Sequence, residues 1–203
     1  MSNMSFAVTA ALFEGSLAVL AVCIGWALDR PPMATFQLNS IDLGWGIVAT
    51  LPPLGFFWLC MKAPWRPFAK IMQALDESLI PLFCQCRMLD LAVIALLAGL
   101  GEEMLFRGIV QGWVADKVGG PYGIGIGLAL SAVIFGLLHS ITPTYAILAG
   151  CIGLYLGAIW LVTDNLLVPI TSHALYDFLA LLYFVQVRKP KTLSKPAEDP
   201  SES

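Results

Sequence analysis

Charge is scarce in this sequence. Asp, Glu, Lys and Arg make up 12% of the 203 residues, about half of the roughly 25% typical of a soluble domain. Hydrophobic residues reach 58% and the mean hydropathy is +0.80, which excludes an ordinary soluble protein and points to a bilayer. The net charge of −3 and the lack of a basic patch argue against a nucleic-acid partner. No internal repeat is visible. The first apolar stretch lacks the basic n-region and small-residue cleavage site of a signal peptide. Val22 is too large for a lipoprotein box ending at Cys23. Cys23, Cys60, Cys84, Cys86 and Cys151 form no zinc-site pattern, and free thiols are expected. Gly119, Gly120, Gly123, Gly125 and Gly127 have no following Lys-Ser/Thr, so they read as close helix packing rather than a phosphate loop. Gly108 with Gly112, and Gly153 with Gly157, read the same way.

What is present is a series of long apolar runs. A spanning helix needs about 20 such residues, and about six runs qualify: 5–28, 43–61, 89–115, 123–140, 144–163 and 166–187. The expected fold is all-α, a polytopic membrane bundle of about six helices in one domain, residues 1–187. Pro52 and Pro53 should kink the second span. Residues 165–172, with Pro169, are a candidate for unwinding. Segment 64–81 differs in character. Phe68, Ile71, Met72, Leu75 and Leu79 mark one helical face between Pro67 and Pro81, while Trp65, Arg66 and Lys70 suit headgroups. An amphipathic helix on the cytoplasmic surface is expected, more simply as an anchor than as a substrate gate. Lys62, Arg66, Lys70 and Arg87 share one loop, and Arg188, Lys189, Lys191 and Lys195 lie in the tail. With six spans both regions fall on the cytoplasmic side, so both termini are expected there, in the cell (inner) membrane. The Pro-, Lys-, Ser- and Glu-rich tail 188–203 is expected to be disordered.

Against this apolar background a few polar residues stand out. The chain has only two histidines, and both lie in apolar runs with carboxylates nearby in the membrane: Glu102, Glu103 and Arg107 in one run, His139 in a second, His173 and Asp177 in a third. An ionisable side chain at mid-bilayer costs about 2.5–3.5 kcal/mol on insertion scales, so these residues are expected to face the interior and to act there. Glu103 and Arg107 are four apart on one helix face; Glu102 is turned away and has no counter-charge. Two carboxylates in different environments suit separate roles, with Glu102 as the general base. A structural ion network would account for Glu103 and Arg107 but not for the second Glu. His139, near the end of its span, would alone read as an interface residue. His173 and Asp177 share a face, an arrangement that orients an imidazole. Glu14, in the first span, fits none of these readings unless it lies near the membrane surface.

Chemically, Glu with two His and Asp is a water-activating set. One arrangement is zinc held by His139, His173 and Glu102 or Asp177. The other is metal-free, with Glu102 and His139 activating water while His173 and its neighbour stabilise an oxyanion. Either hydrolyses an amide or ester. There is no His-Glu-x-x-His, and no nucleophilic Ser or Cys stands out. A proton-relay transporter would use similar residues, but the repeated halves of such transporters are missing.

Glu102-Glu103-x-x-x-Arg107, Phe135-x-x-x-His139 and His173-x-x-x-Asp177 resemble, in order and spacing over about 88–185, the three motifs of the CPBP family of CAAX prenyl proteases and bacteriocin-processing enzymes, also called Abi. The resemblance implies an all-helical intramembrane endopeptidase, traditionally classed as a metalloendopeptidase. It implies Glu102 and His139 as the water-activating pair and a lipid-embedded peptide or protein substrate, prenylated or otherwise membrane-anchored. Asp177 stands where the family commonly has Asn. An ionised Asp cannot donate to an oxyanion, so here it is expected to orient His173 or to bind metal. Some relatives act as scaffolds, which makes a catalytically silent membrane regulator the alternative.

Overall fold

The computed structural model describes residues 3–187, and the tail 188–203 with its expected disorder lies outside them. Every regular element among the described residues is helical: α1 (Asn3–Ala27), α2 (Ser40–Val48), α3 (Leu51–Lys62), α4 (Arg66–Ser78), α5 (Ile80–Phe83), α6 (Met88–Glu103), a π-helical stretch (Met104–Gln111), α7 (Gly112–Val118), α8 (Gly120–Leu138), α9 (Pro143–Thr163) and α10 (Leu167–Val187). Five stretches are long and apolar enough to cross a membrane: Phe6–Ala27, Ser40–Lys62, Gly120–Leu138, Pro143–Thr163 and Leu167–Gln186. The chain is an integral membrane protein. The third expected span is not a simple apolar helix. It is the continuous run from α6 to α7, interrupted by Glu102, Glu103 and Arg107 and by the π stretch.

Local sequence explains where the helices begin and break. Asp90 accepts from the Arg87 amide at 2.8 Å and starts α6, and Thr142 accepts from the Tyr145 amide at 3.1 Å to start α9. The kink expected from Pro52 and Pro53 is a break at Ala49 and Thr50, with the prolines in the first turn of α3. Pro53 has no N–H for the Ala49 carbonyl. Tyr155 (2.8 Å) and Ser172 (3.0 Å) donate to that oxygen instead, tying the break to α9 and α10. The unwinding expected over 165–172 is not found. Asp164, at φ 48°, and Asn165 make the turn, and α10 is helical from Leu167. Asn165 takes up the role of latch, accepting from the Gln37 and Leu167 amides and donating to Asp42.

The α6–π–α7 run is the axis of the bundle. α1 and α10 pack on α6, while α8 packs on α7, the π stretch and α9. A Cβ on Gly101 would lie 2.7 Å from the Glu14 carbonyl oxygen, and one on Gly99 would lie 2.8 Å from the Ala174 amide nitrogen. Those two glycines let α1 and α10 approach the axis on either side of Glu102 and Glu103. Gly108 and Gly112 admit the Pro32 carbonyl and the Arg30 guanidinium, Gly153 faces the Phe135 ring, and Gly157 admits Gln111. The glycine-rich run is only partly a packing device. Gly123 and Gly127 lie against α7 and the π stretch, but Gly119 and Gly120 have φ of 73° and 60° and make the turn between helices, and Gly125 meets nothing. None of the five cysteines, all among the described residues, forms a disulfide. In the turn before α6, burial, with Asp90 and Cys84 nearby, pushes the Cys86 thiol up, so it stays protonated.

Candidate active site

α6 places Glu102 and Glu103 where its hydrogen bonding widens into the π stretch. Such stretches release backbone groups and recur at functional sites. Here two carbonyls of the stretch accept from other elements: Ser131 donates to Phe106 (3.0 Å) and Arg30 to Gly108 (2.7 Å). Glu103 and Arg107 are both fully buried. They pair at 2.9 Å, as the four-residue spacing predicts, and Arg107 also donates to the Gly153 carbonyl of α9 at 2.7 Å. Glu103 Oε1 has a second partner that spacing alone does not foresee. His173 Nδ1 of α10 lies 2.8 Å from it, and His173 Nε2 lies 3.4 Å from Asp177 Oδ2. The imidazole is thus held between two carboxylates, one of them already neutralised by Arg107.

Glu102 faces another way. It is 8% exposed, and its Oε2 has no hydrogen-bond partner among the described residues. The group facing that oxygen is His139 Nε2, at 3.7 Å. His139 caps α8, with Nδ1 at 2.8 Å from the Phe135 carbonyl. A carbonyl oxygen only accepts, so Nδ1 carries the proton and Nε2 presents a lone pair toward Glu102. Phe135 is the hub of the site. Its ring stacks on His139 at 4.4 Å, meets His173 edge-on at 5.9 Å and lies under the Arg107 guanidinium at 5.0 Å.

Glu102, Phe135, His139, His173 and Asp177 line one side of a cavity of about 280 Å³. Its other walls are apolar, from α3 (Phe57, Met61) and from the inner face of α4 (Phe68, Ile71, Leu75). Segment 64–81 is amphipathic as expected, and its apolar face packs on Tyr145, Leu148 and Phe184. It therefore closes the cavity, which the anchor reading does not foresee. Glu14 is a correction of another kind. It is not at the membrane surface but in the middle of α1, lining the same cavity. Its presence was legible only as an unexplained charge in an apolar run.

The structure thus brings Glu102, His139, His173, Asp177, Glu103 and Arg107 together from three helical runs. His139 has Nε2 free, but both ring nitrogens of His173 face carboxylates, so a zinc held by both histidines would need His173 to give up its contact with Asp177 or Glu103. Among the described residues no three His, Cys, Asp or Glu side chains group as ligands.

Residues 85–179, just under half of the chain, match the family model described as type II CAAX prenyl endopeptidase Rce1-like. This segment belongs to the Rce1-like family. It contains all six residues above, and α1, α2, α3 and α4 lie outside it. Comparisons with curated proteins and with solved structures find no match. Within the Rce1-like segment Glu102, His139 and the His173–Asp177 pair converge on one cavity, whereas Glu14 and α4 are contributed from outside it.

Proposed function

We propose that this protein is an intramembrane endopeptidase that hydrolyses a peptide bond of a membrane-anchored protein with activated water and no metal. The observation that carries this reading is the pairing of Glu102 Oε2 with His139 Nε2 across 3.7 Å at the wall of a cavity. That gap is too long for a direct hydrogen bond. A water within about 2.8 Å of both atoms spans it. Both atoms accept, so the water donates one proton to each and turns its lone pair outward, toward a substrate carbonyl.

On attack, a bond forms from the water oxygen to the carbonyl carbon, and the Glu102–His139 pair takes the proton. The carbonyl electrons move to oxygen, where an N–H of His173 Nε2 donates to the oxyanion in place of its contact with Asp177. Glu103, fixed by Arg107, and Asp177 are the positioning residues for that ring. When the C–N bond breaks, the proton held by the pair passes to the leaving amine, giving a carboxylic acid and an amine. The apolar walls suit a lipid-linked or otherwise apolar substrate segment, prenylated or not.

Purified protein in lipid nanodiscs, given membrane-anchored peptides with and without a prenyl group, tests the reading. New termini should appear with wild type and fall about 10²–10⁴-fold with Glu102→Gln, at an unchanged melting temperature. Products formed equally by the variant would overturn it.

A further inference from the structure

The mechanism leaves one partly buried acid unused. Glu14 belongs to α1, outside the Rce1-like segment, yet it lines the cavity with Glu102, His139, His173 and Asp177. It is placed there by the contact at Gly101, where the α1 backbone at Glu14 meets α6 one residue before Glu102. Glu14 Oε2 is buried without a hydrogen-bond partner. Glu14 feels the charges of Asp177 and His173, and Glu102 feels that of Glu14. Apart from His173, already held by Glu103 and Asp177, no balancing cation faces these acids among the described residues lining the cavity. Arg107 is spent on Glu103 and the Gly153 carbonyl, and among the described residues lining the cavity there is no Lys or Arg. Glu102, more than nine-tenths buried, also points an unpartnered oxygen at the same space.

A carboxylate held at bilayer depth needs a partner, and one kept only for packing would bond a neighbour. The chain supplies none to Glu14 Oε2, so the partner comes with the molecule that enters the cavity. We propose that Glu14, acting with Asp177, is a specificity-determining residue that takes a cationic group of the substrate, an ammonium or guanidinium. The favoured substrate therefore carries a basic residue near the scissile bond. This inference rests on the peptidase reading for the cleavage step, but not for binding itself.

The test uses the full chain in nanodiscs and fluorescent apolar peptides carrying one Lys at each of six positions in turn, against the same peptides with acetyl-lysine. At one or two adjacent positions Lys should tighten binding about tenfold, as expected for one charge-assisted contact. Glu14→Gln should bring that ratio to about one, whereas Glu14→Asp should keep part of it. Equal binding of both series by wild type, or a ratio that Glu14→Gln leaves intact, overturns the inference. Mass spectrometry of the same mixtures reads cleavage separately. A Lys preference lost in Glu14→Gln but without products upholds the cation site and removes the peptidase reading.

Discussion

At the scale of single residues, the site is a set of charges sorted by partner. Glu103 has two partners, Arg107 and His173; Glu102 has an unpartnered oxygen facing a lone pair of His139. Removing Arg107 leaves Glu103 buried and opposed only by an imidazole. Arg107→Met should therefore lower stability by about 3–5 kcal/mol, read as a fall in melting temperature in detergent. Glu103→Gln in the same chain should restore a large part of that loss, because the stranded charge goes with it. A double variant no more stable than the single one would mean that packing of the guanidinium stem, not its charge, is what matters. Spacing made the Glu103–Arg107 and His173–Asp177 pairs legible, since four residues on a helix share a face. The link from His173 to Glu103 was not, because it joins residues 70 apart and depends on how α6 crosses α10. Glu14 was visible as a charge, but nothing in its own helix says which cavity it faces.

Among the elements, glycines decide which helices touch. Gly101→Ala would drive a methyl group into the α1 backbone at Glu14, so α1 should shift, at a cost of about 1–3 kcal/mol. Gly125→Ala on α8, with nothing within 4 Å, should be tolerated. Comparing the two melting temperatures checks the crossing; equal effects would contradict it. Composition and hydropathy revealed the helices closely, and the second span broke near its prolines as expected. The π stretch was hidden because nothing in the sequence Met104–Gln111 distinguishes a widened turn from an α-helix with the same polar residues. The lid position of α4 was hidden for a different reason. Its apolar face marks it as amphipathic, and only tertiary packing says whether that face meets lipid or protein.

For the whole molecule, we propose that the α6–α7 run crosses the membrane together with the five apolar spans, which would put the 62–87 region and the C-terminal end of α10 on one side, the cytoplasmic side by charge placement. A membrane-impermeant thiol reagent, applied to intact cells carrying cysteine-free variants, should label Asp116→Cys and spare Gln85→Cys. The reverse pattern would invert the orientation. The cavity lies between α4 and the three motif-bearing runs, so the matched segment supplies its polar wall and the preceding helices supply α4 and Glu14. The central claim concerns Glu102. Its most direct test is a comparison of new protein termini in membranes of host cells carrying wild type, Glu102→Gln or no copy. The account predicts that a small set of termini present with wild type is missing from both others, and that those sites lie in membrane-anchored proteins. Identical termini with wild type and Glu102→Gln, with any deletion phenotype rescued by the variant, would contradict catalysis and leave a binding scaffold.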